Sequence, residues 1–258
     1  MHPELIDLGF WAVPTYGVVL AVAVVVGLWT LKLRADQAEM DGTKIVDLTL
    51  WIVIWALVGS KLLMVLLDLP RYLRHPADLV GTLRAGGVFL GGFIAALVTA
   101  VILVRRYALP ALATLDVIVP SLALGHAIGR IGCLMAGCCW GRACELPWAI
   151  RYTDSRAAEL LGTPLYQPVH PSPVYESVFN FGLYLVLAAL YRRLPPAGRV
   201  FAAYLVLYGI GRFLLEYLRG DADRGFVFGG ALSTSQLIAA LMVPAGAGLA
   251  LWATRRRS

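Results

Sequence analysis

The chain has 258 residues, of which 59% are hydrophobic and 15% charged, and its formal net charge is +6. Soluble domains are typically about 45–50% apolar and about 25% charged, so the composition excludes an ordinary soluble protein. The basic residues cluster at the ends of apolar segments instead of on one polar face, which predicts an integral membrane protein and no nucleic-acid partner.

Long apolar segments recur along the chain, and about 18 or more apolar residues suffice to cross a bilayer as a helix. The pattern predicts an all-α protein with seven transmembrane helices, forming one transmembrane domain over residues 1–258. A polar stretch at about 142–171 predicts a small extramembrane cap. The predicted spans are Val13–Leu33, Leu48–Leu67, Gly86–Val104, Leu115–Met135, Pro173–Tyr191, Gly198–Tyr217 and Leu232–Ala253.

The distribution of lysine and arginine near the span ends predicts the orientation, because cytoplasmic loops carry more of them. One side collects eleven: Lys32, Arg34, Lys44, Arg105, Arg106, Arg192, Arg193, Arg199, Arg255, Arg256 and Arg257. The other collects eight, spread over longer loops: Arg71, Arg74, Arg84, Arg142, Arg151, Arg156, Arg219 and Arg224. We therefore predict an external N-terminus, a cytoplasmic C-terminus and an external cap.

Several charged side chains fall inside the apolar spans, where a central Arg, Lys or Asp costs about 2.5–3.5 kcal/mol on insertion scales. Asp47 and Lys61 are typical of residues that pair with a neighbouring helix or reach an interface. Arg212 and Glu216 stand four residues apart, so they can pair on one helical face. Two arginines on separate helices near small residues, Arg130 and Arg212, suit bidentate binding of a phosphate, and anionic phospholipids supply such a group.

Four cysteines crowd into twelve residues, with the spacing C-x4-C-C-x4-C: Cys133, Cys138, Cys139 and Cys144. This spacing lacks the CxxC pair that usually marks a metal site, so we predict no metal and no cofactor. Disulfides, buried packing and a nucleophilic thiol close to Arg130 remain open alternatives.

The motifs of the chain, taken in order, resemble the prolipoprotein diacylglyceryl transferase family, whose members lipidate lipoprotein precursors in the bacterial inner membrane. The resemblance covers almost the whole chain and is strongest at GRIGCLMAGCCWGR. The motifs are TYG at Thr15–Gly17, GGVFLGGFI at Gly86–Ile94, GRIGCLMAGCCWGR at Gly129–Arg142, HPSPVYES at His170–Ser177 and YGIGRFLLEYLRGD at Tyr208–Asp221.

The resemblance implies transfer of the diacylglyceryl group of phosphatidylglycerol to the lipobox cysteine in a prolipoprotein signal peptide, within the bacterial inner membrane. The product is a thioether, and glycerol phosphate is released. Carried over position by position, the motifs imply Arg130 and Arg212 as essential arginines. The further implied positions are Tyr16 as the early tyrosine, Gly141 as a pocket glycine, Glu216 as the acid after the second arginine, Tyr175 and Glu176 as bracing residues, and Arg219 as a substrate-binding residue.

Four positions depart from the family pattern, one of which is Lys61, where an arginine is common. Leu90 stands where many members carry a histidine, and leucine cannot transfer a proton. Cys133 and Cys138 replace the usual asparagine and acid, although cysteine versions of this segment occur in the family. The resemblance implies that Leu90, Cys133 and Cys138 all belong to the substrate-binding pocket. If the family histidine is the base, the proton acceptor here is another group. His126, one helical turn before Arg130, is the candidate that we assign to catalysis, with His170 and Tyr16 as alternatives.

Other functions fit parts of the pattern. One alternative is a divergent relative that binds an anionic phospholipid but modifies another acceptor. Leu90, in place of the family histidine, favours this alternative. A lipid or anion transporter would use the arginines within the spans as substrate sites. A redox or metal protein would use the cysteines.

Overall fold

The computed structural model describes residues 3–7, 12–79, 87–193, 197–221 and 225–255. Gly86 of the third predicted span lies outside these ranges, and so do Arg84, Arg224, Arg256 and Arg257 of the charge count. Within them, seven helices are long and apolar enough to cross a membrane, so the all-α, seven-span prediction is confirmed. The orientation of the termini stays a prediction.

Each membrane-length helix begins and ends within four residues of its predicted bounds, except that the second helix begins six residues before the predicted start at Leu48. These helices are α1 (Thr15–Gln37), α2 (Gly42–Leu67), α4 (Phe89–Arg106), α5 (Ala111–Ala136), α7 (Ser172–Arg192), α8 (Arg199–Leu215) and α9 (Thr234–Arg255). A 3-10 turn, Glu216–Leu218, continues α8. The shorter α-helices that the structure describes include α3 (Leu69–Arg74) and α6 (Ser155–Leu161), and a further 3-10 turn spans Phe228–Gly230.

Short antiparallel strand pairs accompany these helices. β1 (Glu4–Asp7) pairs with β2 (Ala12–Pro14), and β5 (Phe226–Val227) pairs with β6 (Leu232–Ser233). In the predicted cap, β3 (Ile150–Arg151) pairs with β4 (Pro168–Val169). Between them lies α6, whose first turn is capped by the Asp154 side chain, which accepts a hydrogen bond from the Ala157 amide at 3.0 Å.

The chain divides into two compact units, Leu31–Thr114 and Met1–Thr30 with Leu115–Ser258. In the first unit, α2 packs against α4 where Gly59 faces Gly91 and Ala95. Small residues at this crossing permit the close helix approach that membrane helices use for packing. Asp47 accepts a hydrogen bond from the Tyr107 hydroxyl at the end of α4, so the prediction of a partner on another helix is confirmed for this residue.

The core of the second unit lies between α5, α7 and α8. Its buried side chains are apolar and come from all three helices: Val119, Ala123, Leu183, Leu187 and Val200. The span α5 is the most buried of the seven, with half of its most apolar stretch inside the protein. These three helices also carry Arg130, Glu176 and Arg212 of the candidate site.

A buried carboxylate sets the register between α5 and α8. Asp116 of α5 accepts hydrogen bonds from the Gly198 amide at 2.6 Å and from the Phe201 amide at 2.7 Å, at the first turn of α8. A negative charge here also complements the positive end of the helix dipole. At 1.5 Å per residue, Arg130 lies about 21 Å along α5 from Asp116, and Arg212 about 20 Å along α8 from Arg199. The two arginines therefore reach the same depth.

We expect Asp116→Asn to lower the free energy of unfolding by about 1–3 kcal/mol, because the amide removes the charge and one acceptor from a buried site. The apparent unfolding temperature of the detergent-solubilised protein measures this. Asp36→Asn is the matched control, since Asp36 pairs with Lys32 on an exposed helix face and should change stability by less than about 0.5 kcal/mol. Equal unfolding temperatures for the two variants would contradict the register role of Asp116.

Candidate active site

One glutamate on α7 joins three arginines from two other parts of the chain. Glu176 is 1% exposed. Its Oε2 lies 2.8 Å from Nε of Arg130 on α5. Its Oε1 lies 3.9 Å from Nη1 of Arg212 on α8 and 3.7 Å from Nη1 of Arg219 beyond α8. The structure therefore brings the two arginines singled out in the sequence into one buried cluster.

Two further acids complete the charge balance of this cluster. Arg212 Nη2 lies 2.7 Å from Glu216 Oε2, which confirms the predicted pair at i and i+4. Arg219 binds Asp221 through two nitrogens, with Nε to Oδ1 at 3.0 Å and Nη2 to Oδ2 at 2.5 Å. Three positive and three negative groups thus meet, and the desolvation cost of each is offset locally. Asp221 closes the motif Tyr208–Asp221 but was given no role from the sequence, although its position two residues after Arg219 marks it as a partner.

Arg219 lies just beyond the end of the sixth span, and its surroundings keep it cationic. Burial alone would lower the pKa of Arg219, but the bond to Asp221 and the nearby Cys139 and Glu176 together raise that pKa above its usual value. A fixed positive charge therefore persists at the end of the cluster that lies just beyond α8.

His126 and Tyr208 occupy equivalent places on α5 and α8, each one helical turn before an arginine of the cluster. Arg130 Nε donates to His126 Nε2 at 3.1 Å, and the His126 and Tyr208 rings are 5.8 Å apart. The imidazole nitrogen that faces the cluster is thus an acceptor for the guanidinium. This arrangement orients Arg130. Tyr208 was not predicted as a site residue, although it precedes Arg212 by four residues, just as His126 precedes Arg130.

The guanidinium of Arg212 retains donor capacity. Its Nη1 is buried and has no hydrogen-bond partner among the described residues, and the nearest ion-pair contact is the 3.9 Å approach to Glu176. The Nη1 of Arg130 makes a long contact of 3.9 Å to Cys133 Sγ. An unsatisfied buried donor is costly, so these nitrogens favour a ligand with acceptor oxygens.

Three chain segments cross beside the cluster at Gly141. The Gly141 amide donates to the His170 carbonyl at 3.1 Å, and the Gly220 amide donates to the Trp140 carbonyl at 3.0 Å. A Cβ built on Gly141 would lie 2.6 Å from Ser172 Oγ and would also overlap His170. Only glycine fits this crossing, and the crossing fixes the segment that carries Arg219.

Tyr175 lies one residue before Glu176 and faces a different group of side chains. Its hydroxyl accepts a hydrogen bond from Trp148 Nε1 at 2.7 Å and lies 3.3 Å from His170 Nδ1. These contacts tie the cap to the first turn of α7. Tyr175 thus braces the helix that presents Glu176, and His170 is engaged in the same contact.

The cysteine segment forms a turn that sequence spacing did not reveal. After α5 ends, the Cys138 amide donates to the Cys133 carbonyl at 3.1 Å, the Gly137 amide donates to the Leu134 carbonyl at 3.3 Å, and Gly137 has φ +81°. These are the two bonds and the left-handed glycine of a Schellman motif, which brings the residue after the glycine back over the helix end. The Sγ atoms of Cys133, Cys138 and Cys139 all lie within 4.8 Å of one another.

Tyr16 and Leu90 belong to different units. Tyr16, in the first turn of α1, is 41% exposed, and a Cβ on Gly132 of α5 would lie 3.1 Å from its ring. Tyr16 therefore sits next to the helix turn that carries Arg130. Leu90, in the first turn of α4, belongs to the unit Leu31–Thr114 and is 56% exposed. Its side chain has no polar atom.

Comparison with known proteins identifies similar sequences along nearly the whole chain. The sequence profile of the prolipoprotein diacylglyceryl transferase family matches residues 3–252. A phosphatidylglycerol–prolipoprotein diacylglyceryl transferase of Clostridium tetani is 32% identical, covering 95% of each chain. Proteins with the same name from Methylibium petroleiphilum and Azotobacter vinelandii are 34% and 32% identical, covering 99% and 100% of this chain and 99% and 96% of their own.

Glu176→Gln should lower the free energy of unfolding by about 3–5 kcal/mol, because removing one partner leaves buried arginines without their shared charge. Thermal unfolding in detergent measures the loss. Glu159→Gln serves as the control, since Glu159 is an exposed residue of the cap helix and should shift stability by less than about 0.5 kcal/mol. A Glu176→Gln protein as stable as the control would show that the cluster does not depend on this carboxylate.

Proposed function

Since this chain belongs to the prolipoprotein diacylglyceryl transferase family, we propose that it transfers the diacylglyceryl group of phosphatidylglycerol to the lipobox cysteine thiol of a prolipoprotein. The sulfur attacks the glycerol carbon, a thioether forms, and glycerol phosphate leaves. The seven apolar helices make the chain a multi-pass membrane protein. We place it in the bacterial inner membrane with its N-terminus and cap outside, as the distribution of basic residues predicts.

The observation that carries this proposal is the meeting of Arg130 and Arg212 on Glu176. As the carbon–oxygen bond breaks, negative charge grows on the phosphate oxygens, and donors already aimed at that charge stabilise the transition state. The open donors of Arg212 Nη1 and Arg130 Nη1 are suited to those oxygens. Because Glu176 and Glu216 already neutralise the guanidinium groups, the arginines are held in place before the lipid arrives.

The remaining residues position these two groups. In the proposal, His126 orients Arg130 through its Nε2, and Glu216 orients Arg212. Arg219 adds positive charge near the departing glycerol phosphate, and Gly141 holds the crossing next to it. Tyr16, beside Gly132 and half-exposed, lies where a lipid headgroup or the incoming peptide would contact α5. Tyr175 and Glu176 brace the start of α7.

The apolar surface of the helices suits both substrates. Many large apolar side chains of the second unit are exposed, among them Leu122 and Ile131 on α5 and Ile210 and Leu214 on α8. The last two flank Arg212 within one helical turn, so apolar surface and a buried guanidinium occur side by side. Two acyl chains and an apolar signal peptide can therefore lie in the hydrocarbon while the headgroup reaches the cluster.

Arg130→Ala and Arg212→Ala should each reduce thioether formation by about 100-fold or more, the loss typical when one donor to a developing anion is removed. Purified protein, phosphatidylglycerol vesicles and a lipobox peptide are combined, and the product is counted by mass spectrometry. Arg106→Ala, at an exposed helix end, is the control and should retain activity. Conversion by either cluster variant at the control rate would refute the phosphate role, and no conversion by folded wild-type protein would refute the transferase assignment.

His126→Gln should retain most of the activity, whereas His126→Ala should lose it. The glutamine carbonyl can still accept the Arg130 hydrogen bond, but it cannot take a proton at neutral pH. The rates of thioether formation and the melting temperatures of the two variants are compared. If the glutamine variant is as inactive as the alanine variant and equally stable, His126 acts as an acid–base group instead of an orienting one.

A further inference from the structure

Cys133, Cys138 and Cys139 form a cluster of sulfurs next to the arginine cluster, and the proposed transferase mechanism gives these sulfurs no role. In the predicted orientation they lie at the outer end of α5. The Schellman turn places Cys138 over Cys133, and Cys139 adopts a left-handed backbone with φ +59°, which is unusual for a residue other than glycine. Their Sγ atoms lie within 4.8 Å of one another. Sulfurs around one tetrahedral zinc ion are about 3.8 Å apart at a Zn–S distance of about 2.3 Å, so small rotations close the set.

The number of ligands indicates the type of site. Within the described ranges, the group of metal-ligating side chains contains these three cysteines and no fourth residue, and Cys144 is not among them. Structural zinc sites use four protein ligands, whereas catalytic sites use three and leave the fourth position to water or substrate. Thiolate ligands select soft or borderline cations.

The neighbouring charge also suits an ion with three thiolates. A divalent cation bound to three thiolates carries a net charge of −1, and Arg130 Nη1 lies 3.9 Å from Cys133 Sγ. Such outer contacts to ligand atoms hold and tune a metal site. We assign the same guanidinium to the leaving phosphate, so Arg130 lies between the cysteine cluster and the proposed phosphate site.

We propose that Cys133, Cys138 and Cys139 bind a thiophilic divalent cation of the zinc class, whose fourth position takes the thiol of the incoming prolipoprotein. This inference rests on the proposed transferase function. It answers the question that Leu90 raises, because a metal-bound thiol is deprotonated without a histidine base.

The proposed step balances without an oxidant or reductant. The substrate thiol binds the cation and releases its proton to water. Its sulfur electron pair would then attack the glycerol carbon of phosphatidylglycerol, so that the carbon–sulfur bond forms while the carbon–oxygen bond and the cation–sulfur bond break. The electron pair of the carbon–oxygen bond stays on the phosphate oxygen, which Arg130 and Arg212 stabilise, and the cation remains divalent throughout.

The first test measures metal binding directly, apart from activity. Full-length protein is purified in detergent under reducing conditions, and its zinc content is determined by mass spectrometry. We expect about one equivalent per chain. Apo protein titrated with cobalt should show the sulfur-to-cobalt charge-transfer band of a thiolate site. The triple variant Cys133→Ser, Cys138→Ser, Cys139→Ser should lose both signals, and Cys144→Ser should keep both.

The second test addresses the fourth position. Adding a lipobox peptide should change the cobalt spectrum, while the same peptide with its cysteine replaced by serine should not. Removing the metal from wild-type protein with a chelator should abolish transfer, and zinc, but not magnesium, should restore it. The chelation experiment uses only wild-type protein, so its result can be interpreted even if the triple variant does not fold.

Several outcomes would overturn the inference. These are no cobalt band in the wild-type protein, a band that persists in the triple variant, a disulfide among the three cysteines in the purified protein, or full transfer by metal-free protein. A cobalt-loaded protein that binds the lipobox thiol yet transfers no lipid would instead contradict the transferase assignment and support the metal site.

Discussion

Glu176 places one carboxylate among three guanidinium groups inside a membrane protein, and the candidate site depends on that arrangement. Arginines within spans are costly, and an unpaired pair would repel each other. With Glu176 at 2.8 Å from Arg130 and with Glu216 at 2.7 Å from Arg212, the positive groups converge without a ligand. The cluster is therefore formed in advance, and the Nη1 atoms of Arg130 and Arg212 retain capacity to bind the acceptor oxygens of a ligand.

Helix packing explains why this convergence occurs at one depth. Asp116 holds the start of α8 against α5, and equal lengths of helix then lead to Arg130 and Arg212. Helix α7 continues from Glu176 into the same apolar core, where its Leu183 and Leu187 are buried. Stability and chemistry are thus coupled, since the buried core that packs these helices also sets the distances among their charges.

The proposed chemistry places the nucleophile and the leaving group on either side of Arg130. Its Nε faces Glu176 and His126, and its Nη1 faces Cys133. A displacement at carbon needs an activated sulfur on one side and a stabilised phosphate on the other. One guanidinium next to both is well placed to keep them aligned, which is the main contribution of a preorganised site.

The sequence by itself determined the seven spans, the all-α class and the i, i+4 pair of Arg212 and Glu216. These features depend on apolar length and on spacing within one helix, which are local properties. Only the tertiary structure decided that Glu176 joins Arg130 to Arg212, because the three lie on helices far apart in the chain and side-chain contact depends on how those helices pack. The cysteine cluster was likewise hidden, since the spacing lacks a CxxC pair and a left-handed turn at Gly137 brings the sulfurs together.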